Sequence, residues 1–143
     1  MNKANVSMEF EMGACNGYMQ CRVLNDDKEI FDIKNHNSKI LTLDFATDWP
    51  TTLQFELSNK DLNNDTVIDE NGNIVYNKYM MLKKFAVNNL PLIEPNLYKI
   101  AVFAGKNEIF WDRNETATIT LGEKNPTRWL LSLNNVIYLR EAQ

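Results

Sequence analysis

Five oxygen-bearing side chains, Asp61, Asn63, Asp65, Asp69 and Asn71, fall close together in the middle of the chain. Hard cations such as Ca²⁺ take about six to eight oxygen ligands, and the run Asp61-Leu62-Asn63-Asn64-Asp65 matches the opening of a helix-loop-helix calcium loop. The match then fails: the sixth position is Thr66 where a sharp turn needs glycine, and the twelfth is Gly72 where a bidentate Glu belongs. Convergence of Asp61, Asn63, Asp65 and Asp69 on one Ca²⁺ at the edge of a β-fold remains a metal expectation, and no other cofactor is expected. The competing reading is turn chemistry, because Asn and Asp bond their own backbone and the chain holds 20 Asn.

Trp49, Trp111 and Trp129 are the other side chains able to recognise something, since an exposed ring offers a flat apolar face for stacking on a sugar. Trp49 lies in Asp48-Trp49-Pro50, which reads as a turn, and is expected to be exposed. Trp111, in Phe110-Trp111-Asp112, could point either way, so Trp49 and Trp111 are the candidate glycan-stacking residues. Trp129 alternates with Leu131 and Leu133 and is expected in the core.

Catalytic patterns are missing. A hydrolytic triad needs nucleophile, base and orienting group; the one histidine, His36, sits in an Asn-flanked loop, and no Gly-x-Ser-x-Gly occurs. Gly-rich phosphate loops, His-Glu-x-x-His and Cys-x-x-Cys are absent too. No catalytic residue is named, although a glycosidase-type carboxylate pair cannot be picked out from 19 acidic residues by sequence. Cys15 and Cys21 flank Asn16-Gly17, so a disulfide across a hairpin is geometrically allowed, while two reduced thiols suit a chain without an export signal. Sequons at Asn5, Asn64 and Asn114 are expected by chance in so Asn-rich a chain.

These residues must be positioned by strands. Val6, Met8, Phe10 and Met12 alternate with Ser7, Glu9 and Glu11, the period-2 pattern of a half-buried strand. Similar runs are Met19 to Val23, Ile30 to Ile33, Leu41 to Phe45 and Leu53 to Leu57. Thr66 to Ile68 and Ile74 to Tyr76 flank Asn71-Gly72, which predicts a hairpin with a type I′ turn. Tyr79 to Val87 admits a helix, but Met81, Phe85 and Val87 on one side favour a strand interrupted at Lys83. Further strands are expected at Tyr98 to Ala104, Glu108 to Trp111, Thr116 to Leu121, Arg128 to Leu133 and Val136 to Leu139. About ten short strands without a helical stripe imply an all-β fold, an antiparallel β-sandwich or jelly roll, as one domain over residues 1–143.

Bulk composition agrees. Hydrophobic residues at 44% and charged residues at 24% are ordinary for a folded globular chain. A net charge of −4 offers no attraction to polyphosphate, which argues against nucleic acid. Apolar runs are far shorter than a membrane helix requires, and Glu9 interrupts the N-terminus before a secretory h-region forms, so neither membrane nor export is expected. Abundant Asn and Lys, with eleven Lys against four Arg, fit an AT-rich coding bias.

Four segments carry a resemblance: Leu41-Thr42-Leu43-Asp44-Phe45, Asn64 through Val75, Leu82 through Leu90, and Trp129-Leu130-Leu131-Ser132-Leu133. Together they resemble small carbohydrate-binding-module-like jelly rolls among structural proteins of marine tailed bacteriophages. The central segment is also similar to one in calcium-dependent xylan-binding modules. The resemblance implies a non-enzymatic virion component, such as a capsid decoration, neck or tail-fibre protein, located in the virion and acting through contacts with other virion proteins or its own copies as a homo-oligomer. The alternative is a free-standing carbohydrate-binding module, with glycans as partners and Ca²⁺ as a candidate requirement.

Overall fold

The computed structural model describes residues 2–13, 18–35, 39–60, 66–111, 113–122 and 125–134. In chain order the elements are β1 (Asn2–Met12), β2 (Met19–Asn25), β3 (Lys28–Asn35), β4 (Ile40–Trp49), β5 (Thr51–Leu57), β6 (Thr66–Ile68) and β7 (Ile74–Asn77). They continue with β8 (Met80–Val87), β9 (Leu90–Pro91), a 3₁₀ helix (Glu94–Lys99), β10 (Ala101–Phe103), β11 (Lys106–Asn107), β12 (Phe110–Trp111), β13 (Glu115–Leu121) and α1 (Pro126–Leu133).

Side chains of a strand alternate across its two faces, and β1 shows the consequence: Ala4, Val6, Met8, Phe10 and Met12 are all buried, with Asn5 exposed and Ser7, Glu9 and Glu11 half-buried between them. β1 lies between β4 and β8 in a first sheet of order β12-β8-β1-β4, with β9 paired to β8. The second sheet runs β11-β10-β13-β5-β2-β3, and β6-β7 forms a separate hairpin. Every pairing is antiparallel. The inward rows of the two sheets meet in one core, to which β5 gives Leu53, Phe55 and Leu57, and β13 gives Ala117, Ile119 and Leu121. The architecture is therefore the antiparallel β-sandwich implied by the alternation, with more strands among the described residues than the ten or so expected.

The segment over Tyr79 to Val87 is a strand, as favoured, but its inward row differs. Met80, Leu82, Phe85 and Val87 are buried, while Met81 lies on the other face. A register shift explains this: Glu9 pairs with Lys84 and Phe10 with Leu82, so Lys83 is an extra residue opposite β1. That β-bulge turns both Lys83 and Lys84 to solvent without sending Phe85 outward.

Turn chemistry is redistributed as well. The hairpin over residues 66–77 forms, but of Asp69 to Asn73 only Gly72 takes positive φ, at 82°. Gly72 N–H donates to the Asp69 carbonyl (3.1 Å) and Asp69 N–H to the Asn73 carbonyl (2.9 Å). Type I′ geometry needs positive φ at both central residues, and it occurs at Asp26-Asp27 (50°, 65°), Asn88-Asn89 (51°, 67°) and Ala104-Gly105 (47°, 88°). These join β2 to β3, β8 to β9 and β10 to β11.

One expected strand is shorter than its pattern suggests, and another is wrong in type. Residues 98–99 belong to the 3₁₀ helix, so β10 starts only at Ala101. Arg128 to Leu133 lies within α1. Asn125 caps that helix, its Oδ1 accepting from Arg128 N–H at 2.9 Å, and Pro126 follows in the first turn, where its missing N–H leaves nothing unsatisfied. Capping outweighs the alternation of Trp129, Leu131 and Leu133, which are all half-buried, whereas Leu130 between them is fully buried. The strand expected at Val136 to Leu139 lies outside the described residues. No helix among the described residues is long and apolar enough to cross a membrane.

Candidate functional site

A groove of about 690 Å³ opens at one end of the sandwich, where β4 passes to β5 through the cis Trp49–Pro50 peptide. Its walls come from four places: Asp26 of the β2–β3 turn, Pro50 to Thr52, Thr120 to Gly122 at the end of β13, and Trp129 and Ser132 of α1. The lining thus combines one partly exposed indole with four hydroxyls, Thr51, Thr52, Thr120 and Ser132, and one carboxylate.

Trp129 is held from beneath. Its ring meets Trp49 edge to face (5.2 Å between centroids, 70°) and Phe85 likewise (6.2 Å, 72°). Gly122 makes room for that contact: a Cβ there would lie 2.7 Å from the Trp129 ring and 2.8 Å from the Trp49 ring. The helix bearing Trp129 is fixed at both ends. Asn125 caps its start, and at its close Asn134 accepts from Ile93 N–H (2.8 Å) and donates to the Pro91 carbonyl (3.0 Å). On the opposite wall Thr51 Oγ1 donates to Asn25 Oδ1 at 2.8 Å, which fixes its rotamer beside the β2–β3 turn. The groove is accordingly assembled before any ligand arrives, which lowers the ordering cost of binding.

The structure places the tryptophans differently from expectation. Trp49 is not exposed: it is 3% accessible, because the inward parity of Leu43 and Thr47 continues to the last residue of β4. Trp111 is fully buried, in edge-to-face contact with Phe10 and Phe103, and its indole N–H donates to the Phe55 carbonyl at 3.0 Å. Neither ring has a free face for stacking in this arrangement. Trp129, expected in the core, is the indole that reaches the groove.

The metal candidates are not brought together by what is seen. Asp61, Asn63 and Asp65 lie outside the described residues, as do Cys15 and His36. Asp69 is occupied in its own turn, Oδ1 accepting from Asn71 N–H and Asn73 N–H at 2.9 Å each. The Asn73 backbone N–H, foremost, holds its carboxyl below the usual range. No three His, Cys, Asp or Glu side chains among the described residues are placed to share a metal ion. Cys21 is a free, buried thiol pushed up to about 12 by burial and, secondarily, by Glu56 and Asp32, so it stays protonated and unreactive near neutrality.

A second groove, of about 590 Å³, lies against the outer face of the first sheet, with Ser7, Thr42 and Ala86 beside Pro91, Leu92 and Glu94. Its lining has no exposed aromatic ring, Phe85 being buried, and its charges, Lys83, Lys84, Glu9 and Glu94, balance.

No family model and no curated protein matches the chain. Two solved structures are similar to it. One is vCBM60 in complex with galactobiose, with 9% identity and a TM-score of 0.49 over 81% of this chain and 97% of that one. The other is a selenomethionine form of vCBM60, described in connection with a circular permutation linking two families of calcium-dependent carbohydrate-binding modules, with 8% identity and a TM-score of 0.49 over 82% and 90%.

Proposed function

We propose that the chain is a non-catalytic carbohydrate-binding module whose ligand lies in the end groove and packs against Trp129. The supporting observation is the composition of that groove. A sugar presents apolar C–H patches edged by hydroxyls, and the lining offers an indole surface edged by Thr51, Thr52, Thr120, Ser132 and Asp26. No observation among the described residues favours the virion role implied by the phage resemblance over this one.

A glycan array probed with the wild-type chain and with Trp129→Ala tests the reading. Retained glycans should lose about tenfold or more in affinity in the variant, matching about 1.4 kcal/mol or more of lost stacking. Binding that Trp129→Ala leaves intact, or no binding by the wild type, overturns it. Repeating the array with a calcium chelator tests the separate proposal that Asp61, Asn63, Asp65 and Asp69 support a Ca²⁺-dependent site; unchanged binding would remove calcium from the account.

A further inference from the structure

The groove has a charge asymmetry that its hydroxyls do not share. Among the described residues, Asp26 is the one ionisable side chain of the lining, with no lysine or arginine beside it. Arg128, although next to Trp129 in sequence, is exposed and does not contribute to the wall. The backbone at Asp26 is held in place, since it is the first central residue of a type I′ turn, with φ 50°, between the paired residues Asn25 and Lys28. Asp27, the other central residue, is exposed and lies outside the lining.

A carboxylate at the groove wall repels a second anion brought within a few ångströms. At intermediate effective dielectric this repulsion changes affinity roughly tenfold, and salt weakens it. Hydroxyl hydrogen bonds and indole packing make no such distinction. Resting on the carbohydrate-binding reading, we infer that the groove selects uncharged and amine-bearing glycans against those carrying carboxylate or sulfate, and that Asp26 is the residue setting this preference.

The test is an array carrying neutral, amine-bearing, uronate and sulfated oligosaccharides, probed at low ionic strength with wild type, Trp129→Ala and Asp26→Asn. Asn tolerates the positive φ of this turn, so the last variant keeps the fold while removing the charge. Binding that depends on Trp129 should come from the neutral and amine-bearing glycans. Asp26→Asn should raise affinity for uronate or sulfated glycans about tenfold, with the gain shrinking as salt is added. Trp129-dependent binding of acidic glycans by the wild type, or no gain in Asp26→Asn, overturns the selectivity while leaving the module reading intact. Absence of any Trp129-dependent binding overturns the module reading and this inference with it.

Discussion

Two aromatic clusters in the molecule are built from the same residue types and serve opposite ends. In the middle of the sandwich, Trp111 meets Phe10 and Phe103 edge to face, is fully buried, and has its N–H satisfied by the Phe55 carbonyl. At the end of the sandwich, Trp129 meets Trp49 and Phe85 with similar geometry, yet part of its ring borders the groove. The first cluster joins both sheets and closes on itself. The second is open on one side, because its outermost ring comes from a helix laid across the end of the strands. Edge-to-face packing is neutral as to function; what decides is whether the cluster's last ring has protein or solvent beyond it.

Substitutions can break that contrast, and the largest effect should come from the closed cluster. Trp111→Ala should cost about 3–5 kcal/mol in denaturant unfolding, since it opens a cavity between the sheets and removes the indole hydrogen bond to the Phe55 carbonyl. A cost below about 2 kcal/mol would show that the cluster collapses and is no keystone. Gly122→Ala should come next, at about 1–3 kcal/mol, because its Cβ would collide with both Trp129 and Trp49. The same variant should lose the glycan affinity tested with Trp129→Ala, a joint loss that thermal melting and array binding would measure together.

The smallest effect should appear at high pH, and it belongs to neither cluster. Cys21 is pushed up to about 12 by burial, and Tyr79 to about 12 by its 2.7 Å hydrogen bond to Glu11. Both groups hold their protons more tightly folded than unfolded. Their contribution is fully present below about pH 9, the ordinary thiol value, and is lost as pH rises toward 12. Denaturant midpoints should therefore fall over that window. Tyr79→Phe should flatten the part of the decline above about pH 10. A midpoint constant from pH 9 to pH 11 would contradict the assignment.

The sandwich was legible because β1, β2, β4 and β5 alternate cleanly, and burial follows their parity. The site was less so. Asp48 and Pro50 give Trp49 the look of a turn residue, although counting in twos from Leu43 places it inward. Trp129 was read from alternation over six residues, too short a window to tell strand from helix. The informative signal stood just upstream in Asn125-Pro126, a capping residue followed by the one residue that best tolerates a first helical turn. The I′ turns are hidden for a different reason: two-residue connections between twisted strands demand positive φ, and Asp26-Asp27 and Ala104-Gly105 supply it without the Asn-Gly signature.

The bulge at Lys83 makes β8 unusual in how it answers to changes of length. Remove Lys83 and the row reads Met80, Leu82, Phe85, Val87 at strict every-other spacing, so each inward side chain stays inward. Remove Met81 instead, and one part of the strand is inverted relative to the other. The strand thus tolerates a one-residue deletion at Lys83, where it carries a spare position, and an indel scan across residues 80–87 should find its permissive point there.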